Sequence, residues 1–266
     1  METSCLKRFC IVALFLAAAG QAFAHDLDAH SLIDLTHSFN EQTIYWPTDT
    51  SGFKLERKAY GKTDAGFFYA ANALCTAEHG GTHLDAPLHF GEGKHSTEQI
   101  PLAQLVAPAV VIDVSEQAAR DRDYRLSPTD VLEFEKRHGK IAAGTIVLLR
   151  AGWSRHWPDR KEYLGDDPPG DASKLSFPSY GEDAAKLLVE QRKVGMIGVD
   201  TASIDYGRSK DFIVHRIAAA HNVPGLENLT GLHQLPPRGT TIIALPMNIE
   251  GGSGSPVRVI ALVPKK

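Results

Sequence analysis

Glu78-His79-Gly80-Gly81-Thr82-His83-Leu84-Asp85-Ala86-Pro87-Leu88-His89-Phe90 is the stretch on which the fold reading turns. Three His and one Asp fall within residues 79–89 of a chain that has 12 His in 266 residues. Pro87 pushes Ala86 towards extended backbone and disfavours a helix there. The helical metal motif His-Glu-x-x-His does not occur. The segment therefore reads as β structure. His83, Asp85 and His89 share one parity, so an extended chain turns all three to the same face. Gly80-Gly81 permits a bend that swings His79 back towards His83 and Asp85. Imidazoles and a carboxylate converging this way suit Zn²⁺, Mn²⁺ or a related divalent ion, one or two of them.

Outward from this segment, strands and helices alternate. Residues 31–36 alternate apolar and polar like a half-buried strand. Residues 67–77, 107–114, 144–150, 194–199, 240–245 and 257–263 read as further strands. Ser127-Pro128-Thr129-Asp130 carries a cap, a first-turn Pro and an early acid, so a helix runs from there to His138-Gly139. Residues 182–191 and 212–221 read as helices, the latter broken at Pro224-Gly225 before Glu227. No long polar linker divides the chain. The expectation is one α/β domain over residues 25–266, with a mixed, barrel-like β core and flanking helices.

The first segment stands outside that fold. Lys7 and Arg8 precede an apolar run, Phe9 to Gly20, which closes on Ala22-Phe23-Ala24. This is the plan of a secretory signal peptide, residues 1–24, and the run is short for a membrane span. Export to a periplasm is expected, with no membrane attachment after cleavage. Cleavage removes Cys5 and Cys10 and leaves Cys75 alone, so no intrachain disulfide is available. Cys75 reads as a small buried residue. A net charge of −4 and the lack of any basic run argue against nucleic acid as a partner. With 43% hydrophobic residues the chain has the apolar content of an ordinary packed domain.

Several residues admit two readings. Trp46, before Pro47, stacks on a flat substrate or fills a packing corner. Phe39, Phe67 and Phe90 complete an apolar pocket or fill core. His215, His221 and Glu227 need not share a face. Asp200 lies just past a strand, where it serves a site or caps a turn. Gly252-Ser253-Gly254-Ser255 lacks the Lys-Ser/Thr of a phosphate loop and reads as a flexible turn near the pocket.

Residues 79–89 match throughout the signature His-x-Gly-Thr-His-x-Asp-x-Pro-x-His, so the chain resembles the cyclase or kynurenine-formamidase-like metal hydrolases, which include the isatin hydrolases. Ile33-Asp34-Leu35-Thr36-His37, Trp46-Pro47, the segment Gly198 to Asp205, and His215 with Glu227 extend the likeness over nearly the whole mature chain. The resemblance implies a compact α/β domain around a barrel-like core, assembled as a homodimer or homotetramer. It implies His79, His83 and Asp85 as primary metal ligands, with Asp85 bridging to a second ion held by His89, His215 and Glu227 in two-metal members. In one-metal members His89 or His215 is implied as a proton carrier instead, and Trp46, Phe39 and Phe90 are implied as substrate contacts.

The chemistry agrees. A divalent metal lowers the pKa of its water and polarises a carbonyl oxygen, and a nearby His passes a proton to the leaving atom. Hydrolysis of a small cyclic amide or aryl formamide is the expectation. Lactone hydrolysis, a lyase or cyclase reaction on the same site, and metal binding without turnover are the alternatives.

Overall fold

The computed structural model describes residues 28–166, 168 and 170–265. The signal-peptide reading of residues 1–24 lies outside the described residues. Among the described residues, twelve strands run in chain order. They are β1 (His30–Asp34), β2 (Lys54–Lys62), β3 (Phe68–Cys75), β4 (His83–Asp85), β5 (Val106–Asp113), β6 (Arg125–Leu126), β7 (Ile146–Arg150), β8 (Ser179–Tyr180), β9 (Met196–Val199), β10 (Gly225–Glu227), β11 (Thr240–Pro246) and β12 (Gly254–Pro264).

The main sheet is ordered β1-β12-β11-β5-β7-β9-β10-β4, and β4 also pairs with β12. That extra pairing closes seven strands into a ring and leaves β1 on the outside of β12. β5, β7, β9 and β10 run parallel, while β4, β11 and β12 join antiparallel. The core is thus the expected mixed, barrel-like sheet.

Side-chain alternation sorts the strands into an inside and an outside. Ala107, Ala109, Val111, Ile146, Leu148, Leu84, Leu226 and Val259 pack together within the barrel. Their neighbours Val110, Ile112, Val147, Leu149, Ile197 and Val199 face outward under helices. One covering helix is Pro128–His138, which starts as its sequence predicts: Asp130 N–H donates to Ser127 Oγ, and Ser127 N–H donates to Asp130 Oδ2. The helical segment Glu182–Gln191 and the helix Ile213–Ala220 complete that layer. Among the described residues, no helix is long and apolar enough to cross a membrane.

Three expectations need correction here. β2 was not foreseen, because its Lys-Leu-Glu-Arg-Lys pattern carries little apolar alternation. It pairs only with β3, as a hairpin apart from the barrel. Cys75, at the end of that hairpin, is exposed rather than buried. Residues 225–227 form strand β10 instead of a broken helix: the helix ends at Ala220, Asn222 takes φ +53°, and Gly225 pairs with both β9 and β4.

Candidate metal centre

The centre is built on β4, which is only three residues long and entirely buried. Leu84 points into the barrel, so His83 and Asp85 point outward, towards the helix Ile213–Ala220. The antiparallel register sets His83 opposite Glu227 and Asp85 opposite Gly225. Cross-strand partners lie within side-chain reach of one another. His83 Nε2 accordingly lies 3.5 Å from Glu227 Oε2 and 3.2 Å from Asp85 Oδ1.

His79 arrives from the preceding bend. Gly81 takes φ +58°, and a Cβ there would meet the Phe39 ring at 2.6 Å, so the turn demands glycine. His79 Nδ1 ends 2.6 Å from Asp85 Oδ1. His89 reaches the cluster by a route the parity argument missed. Pro87–His89 is a 3₁₀ turn, not a continuation of the strand. The turn stacks the His89 ring on that of His79, centroids 3.7 Å apart. His215, on the first turn of its helix, places Nε2 3.3 Å from Asp85 Oδ2 and 3.2 Å from Glu227 Oε1.

Hydrogen bonds fix which nitrogen of each ring is free. His83 Nδ1 lies 2.9 Å from the Gly81 carbonyl, which can only accept, so Nε2 is left facing the carboxylates. His215 Nδ1 is bound to Asp205 Oδ2 at 2.7 Å, with the same outcome. Asp205 also accepts the N–H groups of Val214 and His215, so it caps the helix and orients the ring together. His79 Nε2 lies 2.9 Å from Ser253 Oγ, which leaves Nδ1 facing Asp85. Three imidazole nitrogens thus converge on two buried carboxylates. This buried N/O donor set suits a divalent ion. Two overlapping groups are close enough to share one: His79, Asp85 and His89, and His83, Asp85 and Glu227. Asp85 belongs to both.

Burial pushes the His83 ring down, but Asp85 and Glu227 outweigh it and lift its pKa to about 9. His215 rises well above the ordinary range against its own burial, held there by Asp205, Asp85 and Glu227. Burial would raise Asp85, yet the charge on His83 and donors from His215, His79 and His83 hold it well below the usual carboxylate range. Burial and the neighbouring Asp85 push Glu227 up. His89 is driven down to about 4 by burial.

The cluster floors a cavity of about 270 Å³. Its walls include Ile44, Tyr45, Trp46, Phe90 and Phe212, with Ser203 and Asn228 as polar groups. Trp46 and Phe90 therefore stand at the cavity, each packed on Phe212 at 5.9 and 5.1 Å. Phe212 takes φ +50°, an unusual conformation for a bulky residue, at the N-cap of the His215 helix. Phe39 is a correction: it packs on Phe53 and covers Gly81, and lines a separate surface groove. Phe67 is exposed near the hairpin turn. His221 is bound to Ile217 O, away from the cluster. Asp200 serves the fold by accepting the N–H groups of Ala151 and Trp153.

Sequence reasoning assigned no role to Glu78, Ser253, Asn228 or Phe212, and quoted Asp205 only as part of a lining segment. For Ser253 the signal was the glycine on either side. A Cβ on Gly254 would meet His79 Cε1 at 2.4 Å, so that glycine makes room for the ring. The Gly252–Ser255 stretch is not a free turn either. Ser253 O accepts from Ala86 N–H, Gly252 O accepts from Thr97 N–H, and Gly254 opens β12.

Known proteins share this arrangement of sequence and fold. The family model described as putative cyclase matches residues 33–206. An isatin hydrolase of Roseibium aggregatum is 36% identical over 208 residues, covering 75% of this chain and 77% of the relative. A kynurenine formamidase of Salinibacter ruber is 27% identical over 230 residues, covering 86% and 96%. The solved structure of isatin hydrolase A from Ralstonia solanacearum superposes with a TM-score of 0.82 at 35% identity, covering 94% and 97%.

Proposed function

This chain belongs to the putative cyclase family, and from that premise we propose that it hydrolyses a small cyclic amide or aryl formamide, of the isatin or N-formylkynurenine kind. It is a hydrolase acting on non-peptide C–N bonds; the choice of substrate is our reading. One observation carries it: three imidazole nitrogens converge on the buried Asp85–Glu227 pair at the floor of an aromatic-walled cavity.

His79, His83, Asp85 and Glu227 would hold Mn²⁺ or Zn²⁺, with His215 and His89 within reach. Bound by these residues, such an ion would supply Lewis-acid chemistry: a water nucleophile near neutral pH and a polarised carbonyl. The chain's own groups do the rest. Trp46, Phe90 and Phe212 offer flat faces to an aromatic ring. A cavity of about 270 Å³ has room for a ligand of one or two fused rings. His89, at the cavity wall, is placed to take a proton from the attacking water and to return it to the leaving nitrogen. Asp205 keeps His215 turned inward throughout.

The N-terminal pattern supports export to a periplasm, and the family likeness supports a homodimer or homotetramer; secretion assays and sedimentation test each. The substrate is tested with metal-stripped mature protein, Mn²⁺ or Zn²⁺ restored, offered isatin and N-formylkynurenine in parallel and followed by ultraviolet absorbance. Metal-dependent loss of one substrate supports the reading and separates the two. Bound metal with neither substrate consumed overturns it in favour of a lactone, a lyase reaction or metal binding alone.

A further inference from the structure

The turn that closes the barrel holds a second set of polar contacts on His79. Ser253 Oγ donates to Glu78 Oε2 at 2.5 Å, and Ser253 N–H donates to the same oxygen at 3.1 Å. The Ser253 hydroxyl proton is thereby committed to Glu78. The contact of His79 Nε2 with Ser253 Oγ, at 2.9 Å, must then be a donation from the ring. With Nε2–H so committed, Nδ1, 2.6 Å from Asp85 Oδ1, is the nitrogen that would offer its lone pair to a cation in place of a proton. We propose that Glu78 and Ser253 are positioning residues of the metal centre, a carboxylate–hydroxyl pair that fixes the Nε2–H tautomer of His79 and presents Nδ1 to the cation. The proposal rests on the reading of this cluster as a metal centre.

The surroundings are built for that task. Glycines flank Ser253, and the Gly254 position leaves space only for the His79 ring. Ser253 is anchored through its carbonyl to Ala86, next to Asp85, so the hydroxyl and the ligand strand move as one body. Glu78 adjoins His79 in sequence, so one short segment supplies both the ring and the carboxylate that orients it. The distances also resemble a Ser–His–Asp nucleophile, since Ser253, His79 and Asp85 are in hydrogen-bond series. Two facts argue against that use: Ser253 is absent from the cavity wall, and its proton is given to Glu78 rather than to the imidazole.

The test compares full-length mature protein with Ser253→Ala, Ser253→Thr and Glu78→Gln. Mn²⁺ affinity is measured by calorimetry on the metal-free proteins, with thermal melts as the folding control, and turnover is measured at limiting and saturating Mn²⁺. Loss of an outer partner of a metal ligand weakens affinity by about 10–100-fold. That loss is expected for Ser253→Ala and Glu78→Gln, with kcat recovered at saturating Mn²⁺ and affinity recovered in Ser253→Thr. Wild-type affinity in both Ser253→Ala and Glu78→Gln overturns the proposal and leaves the metal centre standing. Turnover abolished in Ser253→Ala with metal fully bound also overturns it, in favour of a serine nucleophile. Wild-type protein that binds no Mn²⁺ overturns the metal reading itself, and the proposal with it. If Ser253→Ala melts too early to assay, Glu78→Gln alone decides.

Discussion

His83 and Glu227 face each other across the β4–β10 pair, and their side chains meet at 3.5 Å although 144 positions of sequence separate them. Glu227 is also crowded by Asp85, and burial with that neighbour raises its pKa. A raised carboxyl pKa means that the folded state binds the proton more tightly than the unfolded chain. Its contribution is therefore fully present below the unfolded value and is lost as pH rises through the folded one. Glu227→Gln removes that loss. Metal-free Glu227→Gln is expected to melt at or above the wild-type temperature at pH 8, while its Mn²⁺ affinity falls by at least about 100-fold, the upper end for mere outer partners. Paired melts and calorimetry check both halves, and a variant with wild-type affinity would remove Glu227 from the ligand set.

Metal removal should cost stability, because the cluster exists only in the folded chain. A ligand at a hundred times its Kd adds about 2.7 kcal/mol. For a domain of this size that is about 5–10 °C in Tm. A melt with Mn²⁺ and one after chelation should differ by that amount. Superimposable melts would mean that no ion binds the native state.

Trp46 tests the aromatic wall. Its ring packs edge-on to Phe177 at 6.4 Å and tilted against Phe212 at 5.9 Å, and it lines the cavity above the carboxylates. Stacking on a flat substrate is worth about 0.5–1.5 kcal/mol beyond area. Trp46→Leu should raise KM by about 3–10-fold with kcat little changed, the pattern of lost uniform binding. A fall in kcat at constant KM would place Trp46 in the chemical step instead.

His37 gives a pH signature of its own. Its ring stacks on Trp157 at 4.3 Å, and burial lowers its pKa to about 4. A depressed His pKa means that the unfolded chain takes up the proton first. The stability is therefore present above about pH 6.5 and drains away as pH falls towards 4. With the ring partly exposed, the loss is about 1–2 kcal/mol. His37→Phe should flatten the urea-unfolding free energy between pH 6.5 and 4. An unchanged slope would assign the acid sensitivity to other groups.

Local physics was legible in the chain. Ser127-Pro128-Thr129-Asp130 specifies a helix start by hydrogen bonds that span three residues, and the structure has that capping box. The apolar runs at 144–150 and 194–199 are β7 and β9, because strands buried on both faces need no alternation. β2 was not legible, since an exposed hairpin strand carries no burial pattern to read. In the site, the motif marked His79, His83 and Asp85 through spacing that a strand and a bend convert directly into geometry. His89 was found by the wrong route, as parity does not survive a 3₁₀ turn.

What the sequence by itself determined is therefore the inventory: a metal-ligand motif, the strand and helix segments, and the capacity to hold a cation. Only the tertiary structure decided which distant groups complete it. Asp85 and His215 are 130 positions apart, and His79 and Ser253 are 174 apart. No local propensity encodes such pairs. They depend on strand register and ring closure, since β4 lies between β10 and β12 and draws Glu227 from one neighbour and the Ser253 turn from the other. The same closure put Phe39 behind Gly81 and Phe212 in the cavity, because a side chain's surroundings are set by the elements packed against it rather than by its neighbours along the chain.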